Sequence, residues 1–452
     1  MIVNPNRPQT EIVAFSAANR EAVKKRVKDF FDSVSTDFES IQKQARLAQS
    51  QFSASDACRL LMVLEPDTSP AAVKEKALHH LDHTAAIDGT EKNIYFGENR
   101  TYRKIGFVFP GQGSQYVRMG ADLVRCCRGA DEILKQADAA FDQNARLSAI
   151  IFPNPADSKD ELKSQEDRLR QTEMAQPAIG AISLVMRGCL SNFSVSPDAV
   201  CGHSYGELTA LHAAGRISRE DFFRLSVARG RYMAKAGEQQ GEAGTMMAVK
   251  APIDEIPKLI ADYGLDIILA NRNSPDQGVL SGPTPDIEKM HGVLKENHIR
   301  AIRLPVAAAF HSRLVESAAR PFQHTLQTID FLASDIPVYS NTTGRPYPTD
   351  DEAAKQLLGR HLTNPIHFID DIETMYADGV DMFIEVGPKT VLTGLIRSIL
   401  KDRDHAAIAL DASSGKKPGI RDLANTLCQL AASGYPVDLN RWPPQLAAGA
   451  PQ

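Results

Sequence analysis

The sequence predicts an α/β protein in three parts: a large unit built on a parallel sheet, a small ferredoxin-like unit inserted into it, and a small α/β unit ahead of both. From residue 105 to about 233, apolar runs alternate with segments of helical periodicity, the pattern of a parallel sheet covered on both faces. From 245 to 306 the rhythm becomes β-α-β-β-α-β, the signature of a ferredoxin-like unit. A chain of 452 residues with 43% apolar content is also too long for one small core and suits two or three packed units.

Taken in order, residues 12–16 read as a short strand and 20–34 as an amphipathic helix, with Ala22, Val23, Val27, Phe30 and Phe31 near helical spacing. Residues 38–52 continue helical, 55–64 fit either helix or strand, and 71–83 are helical before a polar stretch reaches 93–96. A linker domain over 1–103 is expected to end near Arg103. Residues 105–109 form a buried strand running into a Gly-rich turn. In the inserted unit, placed over 241–306, strands are expected at 245–251, 266–271, 278–282 and 300–306, with helices at 253–263 and 286–297. The large unit would therefore occupy 104–240 and 307–400, with a cleft where the insertion joins it. Past Asp402, a Lys- and Pro-containing stretch and the Pro-rich tail from Trp442 read as a second linker over 401–452.

Composition narrows the function. A formal charge of −5 and the absence of a basic run argue against nucleic-acid binding. The six cysteines form no C-x-x-C pair and take no metal-ligand spacing with the twelve histidines, so no metal is expected. No apolar run is long enough to span a membrane and the amino terminus lacks a signal-peptide pattern, so a cytoplasmic protein is expected.

Two motifs carry the chemistry. GHSYGE at 202–207 places Ser204 in a G-x-S-x-G frame, between the apolar run 199–201 and a helical pattern closed by Gly215. Such a serine stands on a strand-to-helix turn, and the helix start aims backbone N–H groups at an oxyanion formed there. The N–H of Tyr205 is the natural first donor. FVFPGQGSQ at 107–115 supplies a second from another loop, with Gln112 at the tip of its turn. His311 follows strand 300–306 at the cleft edge and is the candidate base. His203 precedes the nucleophile on a strand end, so its side chain should point away from Ser204.

PGQGSQ, GHSxGE, AFHS at 309–312 and EVGPKTVLTGL at 385–395 together resemble the malonyl-CoA:acyl carrier protein transacylase family and the acyltransferase domains of polyketide synthases, over about residues 104–400. The resemblance implies a large α/β-hydrolase-like domain with an inserted ferredoxin-like subdomain, flanked by linkers to a preceding ketosynthase and to a following domain. It also implies ping-pong transfer of an acyl group from CoA to serine and on to the carrier protein's phosphopantetheine thiol. Malonyl-CoA, the carrier protein and neighbouring synthase domains are the expected partners, with no metal or bound cofactor.

By the same resemblance, Ser204 and His311 form a dyad in which the backbone carbonyl of His361 accepts the Nδ1–H bond. Arg229, in VARGRYM, matches the arginine that binds the malonyl carboxylate, and its rigid fork suits bidentate binding. Phe310 matches the bulky residue of malonyl-selective members. Asn271 and Gln277, in NRNSPDQGVLSG, match a loop of the small subdomain facing the cleft, and Gln176, in TEMAQPAI, lies near the cleft unless it caps a helix. Tyr205, where most malonyl members carry an aliphatic residue, resembles iterative enediyne-type and polyunsaturated fatty acid synthases.

Two rival readings stand beside transfer. One is a hydrolase using the same serine, including a patatin-like dyad with Asp378. The other is a docking segment whose chemistry has lapsed.

Overall fold

The structure, a computed structural model, describes residues 9–35, 37–83, 93–99, 104–141, 145–239, 244–306 and 308–444. The described residues form three sheets. The first is antiparallel, in the order β1 (Glu11–Ala17), β2 (Cys58–Leu64), β3 (Ile94–Glu98). Helix Arg20–Ser33, which Asn19 caps by accepting from the Ala22 N–H, buries Val23, Val27, Phe30 and Phe31 against this sheet. The ambiguous stretch 55–64 contains β2. All seven β2 residues are buried because the strand is central and both of its faces are covered, which erases the period-2 alternation that would have marked it.

The central sheet has six strands in the order β11 (Arg345–Pro346), β10 (Val338–Ser340), β5 (Ala199–Gly202), β4 (Ile105–Phe109), β12 (Met382–Glu385), β13 (Ala406–Ala409). Neighbours are parallel except β11, which pairs antiparallel with β10. The expected alternation over 105–233 holds only at its ends. Among the described residues between β4 and β5 every regular element is a helix, the last of them Thr172–Ser191. Fifteen of that helix's 20 residues are buried, so its apolar run AIGAISLVM has no polar face to betray a helical period.

The third sheet is antiparallel, in the order β7 (Ile268–Ser274), β8 (Gln277–Gly282), β6 (Thr245–Lys250), β9 (Arg300–Arg303), with helices Ile256–Tyr263 and Thr284–Glu296. This is the ferredoxin-like order. Asn271 lies within β7, which runs on past the strand expected to end at 271, and Gln277, expected in a loop, opens β8; only Pro275 and Asp276 turn between the strands. β7 is sewn to the large unit by a parallel bridge from Asn271 to Ile366, with Arg272 N–H donating to the Ile366 carbonyl and Ile366 N–H to that of Ala270, both at 2.8 Å. The small sheet is thereby fixed against the segment that follows His361.

The stretch 401–452, expected to be a linker, is in its described part structural. It supplies β13, an edge strand of the central sheet, and helix Gly419–Ala432, which packs on β2 and β3. Short apolar runs such as AAIA carry too little period to register as a strand without a partner. No helix among the described residues is long and apolar enough to cross a membrane.

Arg59, the second residue of β2 and 2% exposed, joins the first sheet to that last helix. Its guanidinium donates to the carbonyls of Ala432 at 2.9 Å, Ala54 at 3.1 Å and Asp56 at 2.7 Å. Arg59→Met is expected to leave these carbonyls without their donors and to lower stability by on the order of 3 kcal/mol. Thermal unfolding checks this, and an unchanged midpoint would show that the junction does not depend on them.

Candidate active site

Ser204 lies between the end of β5 and helix Gly206–Ala213 with φ 52°, in the left-handed region that a non-glycine residue enters at a cost of about 1–3 kcal/mol. The turn is held by close packing that its glycines alone permit. A Cβ on Gly202 would sit 1.9 Å from the Gly206 carbonyl carbon, and one on Gly206 would sit 1.9 Å from the Phe109 oxygen. His203 N–H donates to that Phe109 carbonyl at 2.9 Å, and Ser204 N–H donates to Asn341 Oδ1 at 2.7 Å.

Ser204 Oγ lies 2.7 Å from His311 Nε2, and His311 Nδ1 lies 3.1 Å from the His361 carbonyl oxygen. A carbonyl only accepts, so Nδ1 carries the proton and Nε2 presents a lone pair to the serine hydroxyl. His311 also has a positive φ, 58°, so both partners of the pair are held in a sparsely populated conformation. Burial, then the nearby Arg229 cation, pushes the His311 imidazole down to about 3, which keeps it neutral and basic in form at pH 7. His203 turns away and bonds through Nε2 to Asn273 Oδ1 at 2.7 Å. The His361 ring is buried and tilted against His311 at 5.4 Å between centroids; among the described residues neither ring nitrogen is hydrogen-bonded, and Nε2 lies 3.7 Å from Glu207 Oε2.

Arg229, on helix Arg219–Gln239, is 1% exposed, and its Nη2 lies 3.4 Å from Ser204 Oγ. Nη1 is buried without a partner, and among the described residues no carboxylate lies within ion-pair distance of the guanidinium. Burial pulls it down to about 10, so it remains a cation at neutral pH. Its neighbour is the Tyr205 ring, whose centroid is 5.9 Å from the guanidinium carbon. Tyr205 in turn bonds Ser226 Oγ at 2.8 Å and fits only because position 180 is glycine, where a Cβ would fall 2.1 Å from the phenol oxygen.

The Gly-rich turn packs directly on the elbow. A Cβ on Gly111 would be 2.5 Å from the His203 carbonyl oxygen and 3.4 Å from the Tyr205 nitrogen. Neither the Gln112 nor the Tyr205 N–H has an acceptor among the described residues. The Gln112 side chain reaches Thr172 Oγ1 at 3.2 Å, and Lys389, from EVGPKTVLTGL, fastens the turn by donating to the Gly113 carbonyl at 3.0 Å.

The remaining candidates are placed differently. Phe310 is buried, with its carbonyl held by Ser281 Oγ of β8 at 2.8 Å. Gln176 lies inside helix Thr172–Ser191 rather than capping it, and its Nε2 is 3.5 Å from Met233 Sδ. Asn271 is buried with Oδ1 unpartnered; it is Asn273, on the same strand, that bonds the elbow. Asn341 and its support from Glu207 were not singled out in the sequence. Glu207 was visible as the last letter of GHSYGE, but SNTTG around Asn341 reads as an ordinary turn, and nothing local pairs the two. Among the described residues no cluster of three or more His, Cys, Asp or Glu could hold a metal ion.

Residues 106–427 match the acyl transferase domain family. The chain is 33% identical over 299 residues to the malonyl CoA-acyl carrier protein transacylase of Bacillus subtilis, covering 66% of this chain and 90% of that protein. It is 36% identical over 307 residues to the polyketide biosynthesis protein ThaF of Burkholderia thailandensis, covering 67% of this chain but only 24% of that protein. Among solved structures, the Clostridium perfringens transacylase aligns with a TM-score of 0.63 at 32% identity, covering 73% of this chain and 97% of that one. The acyltransferase domain of the second salinomycin polyketide synthase module aligns at 0.71 with 28% identity, covering 97% and 98%. The acyltransferase domain of an iterative enediyne synthase shares the fold, at 0.71 with 22% identity over 95% and 98%. On the match over residues 106–427 and the identity to a transacylase that it nearly spans, the chain belongs to the acyl transferase domain family.

Proposed function

We propose that the protein transfers a malonyl group from malonyl-CoA to the phosphopantetheine thiol of an acyl carrier protein, through an acyl-Ser204 intermediate, in polyketide biosynthesis. It acts in the cytoplasm beside other synthase domains and needs no metal or bound cofactor. The observation that carries the reading is Arg229: a buried, unpaired cation 3.4 Å from the nucleophile is complementary to an acyl group bearing its own carboxylate. The sources of the malonyl and carrier-protein assignments are the transacylase relatives named above.

His311 Nε2 takes the Ser204 hydroxyl proton as Oγ forms a bond to the thioester carbonyl carbon. The negative charge on the carbonyl oxygen is met by the N–H groups of Gln112 and Tyr205. Collapse breaks the C–S bond, and the departing CoA thiolate takes the proton from Nε2. The carrier protein's thiol then gives its proton to Nε2, attacks the acyl-serine, and regenerates the hydroxyl. Throughout, Arg229 grips the distal carboxylate and Phe310 limits room for a branch at C2.

Intact-protein mass after brief incubation with malonyl-CoA tests the reading. Wild type is expected to gain a malonyl adduct that Ser204→Ala lacks, and the absence of an adduct with malonyl-, methylmalonyl- and acetyl-CoA alike would overturn it. Arg229→Ala is expected to lose about 2–5 kcal/mol of malonyl-transfer barrier stabilisation, a rate loss from tens- to thousands-fold, while acetyl transfer persists. Equal losses for both acyl groups would separate Arg229 from carboxylate recognition.

The acylation rate should also resist acid. With His311 lowered to about 3, its basic form persists through pH 5, and Arg229→Ala should move the acid limb upward by removing a neighbouring charge. Stability follows the opposite sense to a salt-bridged histidine. His311 is neutral when folded but protonates below about 6.5 when unfolded, so its contribution is full above that pH and is lost as pH falls toward 3. Single-turnover rates and unfolding midpoints across pH 4–8 check both; an acid limb centred near 6.5 contradicts the buried neutral base.

A further inference from the structure

The geometry points to Asn341 as the positioning residue of the elbow: its amide holds the strained Ser204 backbone so that Oγ meets His311 and the Tyr205 N–H is left for the oxyanion. This rests on the acyl-transfer reading of Ser204. Asn341 follows β10, the strand beside β5, and is fully buried. Its Oδ1 accepts from Ser204 N–H at 2.7 Å, while Nδ2 donates to the Gly202 carbonyl and to Asp371 Oδ2, both at 2.6 Å. One amide thus grips the turn on both sides of residue 203, from the last residue of β5 to the nucleophile.

The grip is itself anchored. Asn341 N–H donates to Glu207 Oε2 at 2.7 Å, and its carbonyl accepts from His367 N–H at 2.8 Å. Ser340 Oγ and Tyr347 Oη hold the other Glu207 oxygen. Every backbone and side-chain polar group of Asn341 is therefore engaged, the side chain accepting one bond and donating two. A carboxylate at this position accepts but has no donor, leucine neither accepts nor donates, and glutamine is a methylene too long for a buried site without slack. Burial raises Glu207 to about 7 and Asp371 well above the usual carboxylate range, so the two carboxyls behind Asn341 need not both be charged.

Two consequences for the chemistry follow from this arrangement. With its N–H occupied, Ser204 does not donate to the oxyanion, and the donor on this side of the site is the Tyr205 N–H. A φ of 52° is also kept only while the surroundings outweigh its cost, and the Asn341 amide is the side chain that bonds the nucleophile's own backbone. Freed of that bond, the turn relaxes, and both the 2.7 Å contact to His311 and the aim of the Tyr205 N–H change together.

The test is single-turnover acylation of the full chain by malonyl-CoA, followed by intact mass, for wild type, Asn341→Ala and Asn341→Asp, with acetyl-CoA in parallel and unfolding midpoints recorded. Asn341→Ala is expected to slow acylation about 100-fold, as loss of an oxyanion donor does, with half-saturation by malonyl-CoA little changed. Asn341→Asp keeps the shape and the acceptor for Ser204 N–H but loses both donors, and is expected to fall between the two. The malonyl-to-acetyl preference, set by Arg229, should be the same in all three, whereas a general loosening of the core would blunt it. A folded Asn341→Ala that acylates at the wild-type rate overturns the proposal. Where that variant does not accumulate, Asn341→Ser, which stays polar but is too short to hold the Ser204 N–H, decides, and a wild-type rate there overturns it equally. Failure of wild type itself to form an adduct would instead overturn the acyl-transfer reading.

Discussion

The left-handed backbone at Ser204 is the constraint around which this protein is arranged. A serine with φ 52° between a strand and a helix is unfavourable in isolation, and the surroundings over-determine it. Gly202 and Gly206 let β5, the helix start and the end of β4 approach to distances that a Cβ would forbid. Asn341 and Glu207 then tie the turn to β10, on the other side of β5. The result is a hydroxyl lifted off the sheet edge, with free N–H groups on one side and an imidazole on the other.

The second organising feature is a charge left uncompensated. Buried arginines are ordinarily paired, because removing a guanidinium from water costs several kcal/mol that a nearby carboxylate must offset. Arg229 has an aromatic face and the nucleophile's oxygen for company, and Glu207, the acid closest in role, is already engaged by Asn341, Ser340 and Tyr347. Burial and this cation together also account for the depressed basicity of His311. On the acyl-transfer reading, a bound carboxylate would offset only the smaller, arginine part of this depression and leave the larger part, due to burial. On that reading, substrate recognition and proton transfer would share one charge.

The flanking segments serve the same centre at a distance. β13 completes the central sheet beyond β12, and helix Gly419–Ala432 locks the antiparallel sheet onto it through Arg59. Glu385, the last residue of β12, caps helix Leu392–Ile399 by accepting from the N–H groups of Val391, Leu392 and Thr393. The same loop carries Lys389 to the carbonyl of Gly113, which steadies the turn bearing Gln112. The parallel bridge from β7 to Ile366 anchors the small sheet close to His361, and β7 also delivers Asn273 to His203.

The parts legible in the sequence were those whose physics is local. The G-x-S-x-G frame, the Gly-rich turn after an apolar strand and the β-α-β-β-α-β rhythm depend on neighbours a few residues apart, and so Ser204, Gln112, Tyr205 and the ferredoxin-like order could be read directly. Position after strand 300–306 only nominated His311, and its role, like those of Arg229 and His361, needed a family resemblance, since a lone histidine or arginine carries no signal of what it faces. Tertiary structure alone decided the rest. The bond from Ser204 to Asn341 spans 137 residues, and the one from Arg59 to Ala432 spans 373. Neither the choice of Asn273 over Asn271 nor the assignment of β13 to the sheet follows from any period. A polar side chain's partner is fixed by which strands lie side by side, and strand order is set by the packing of the whole chain rather than by the residues next to it.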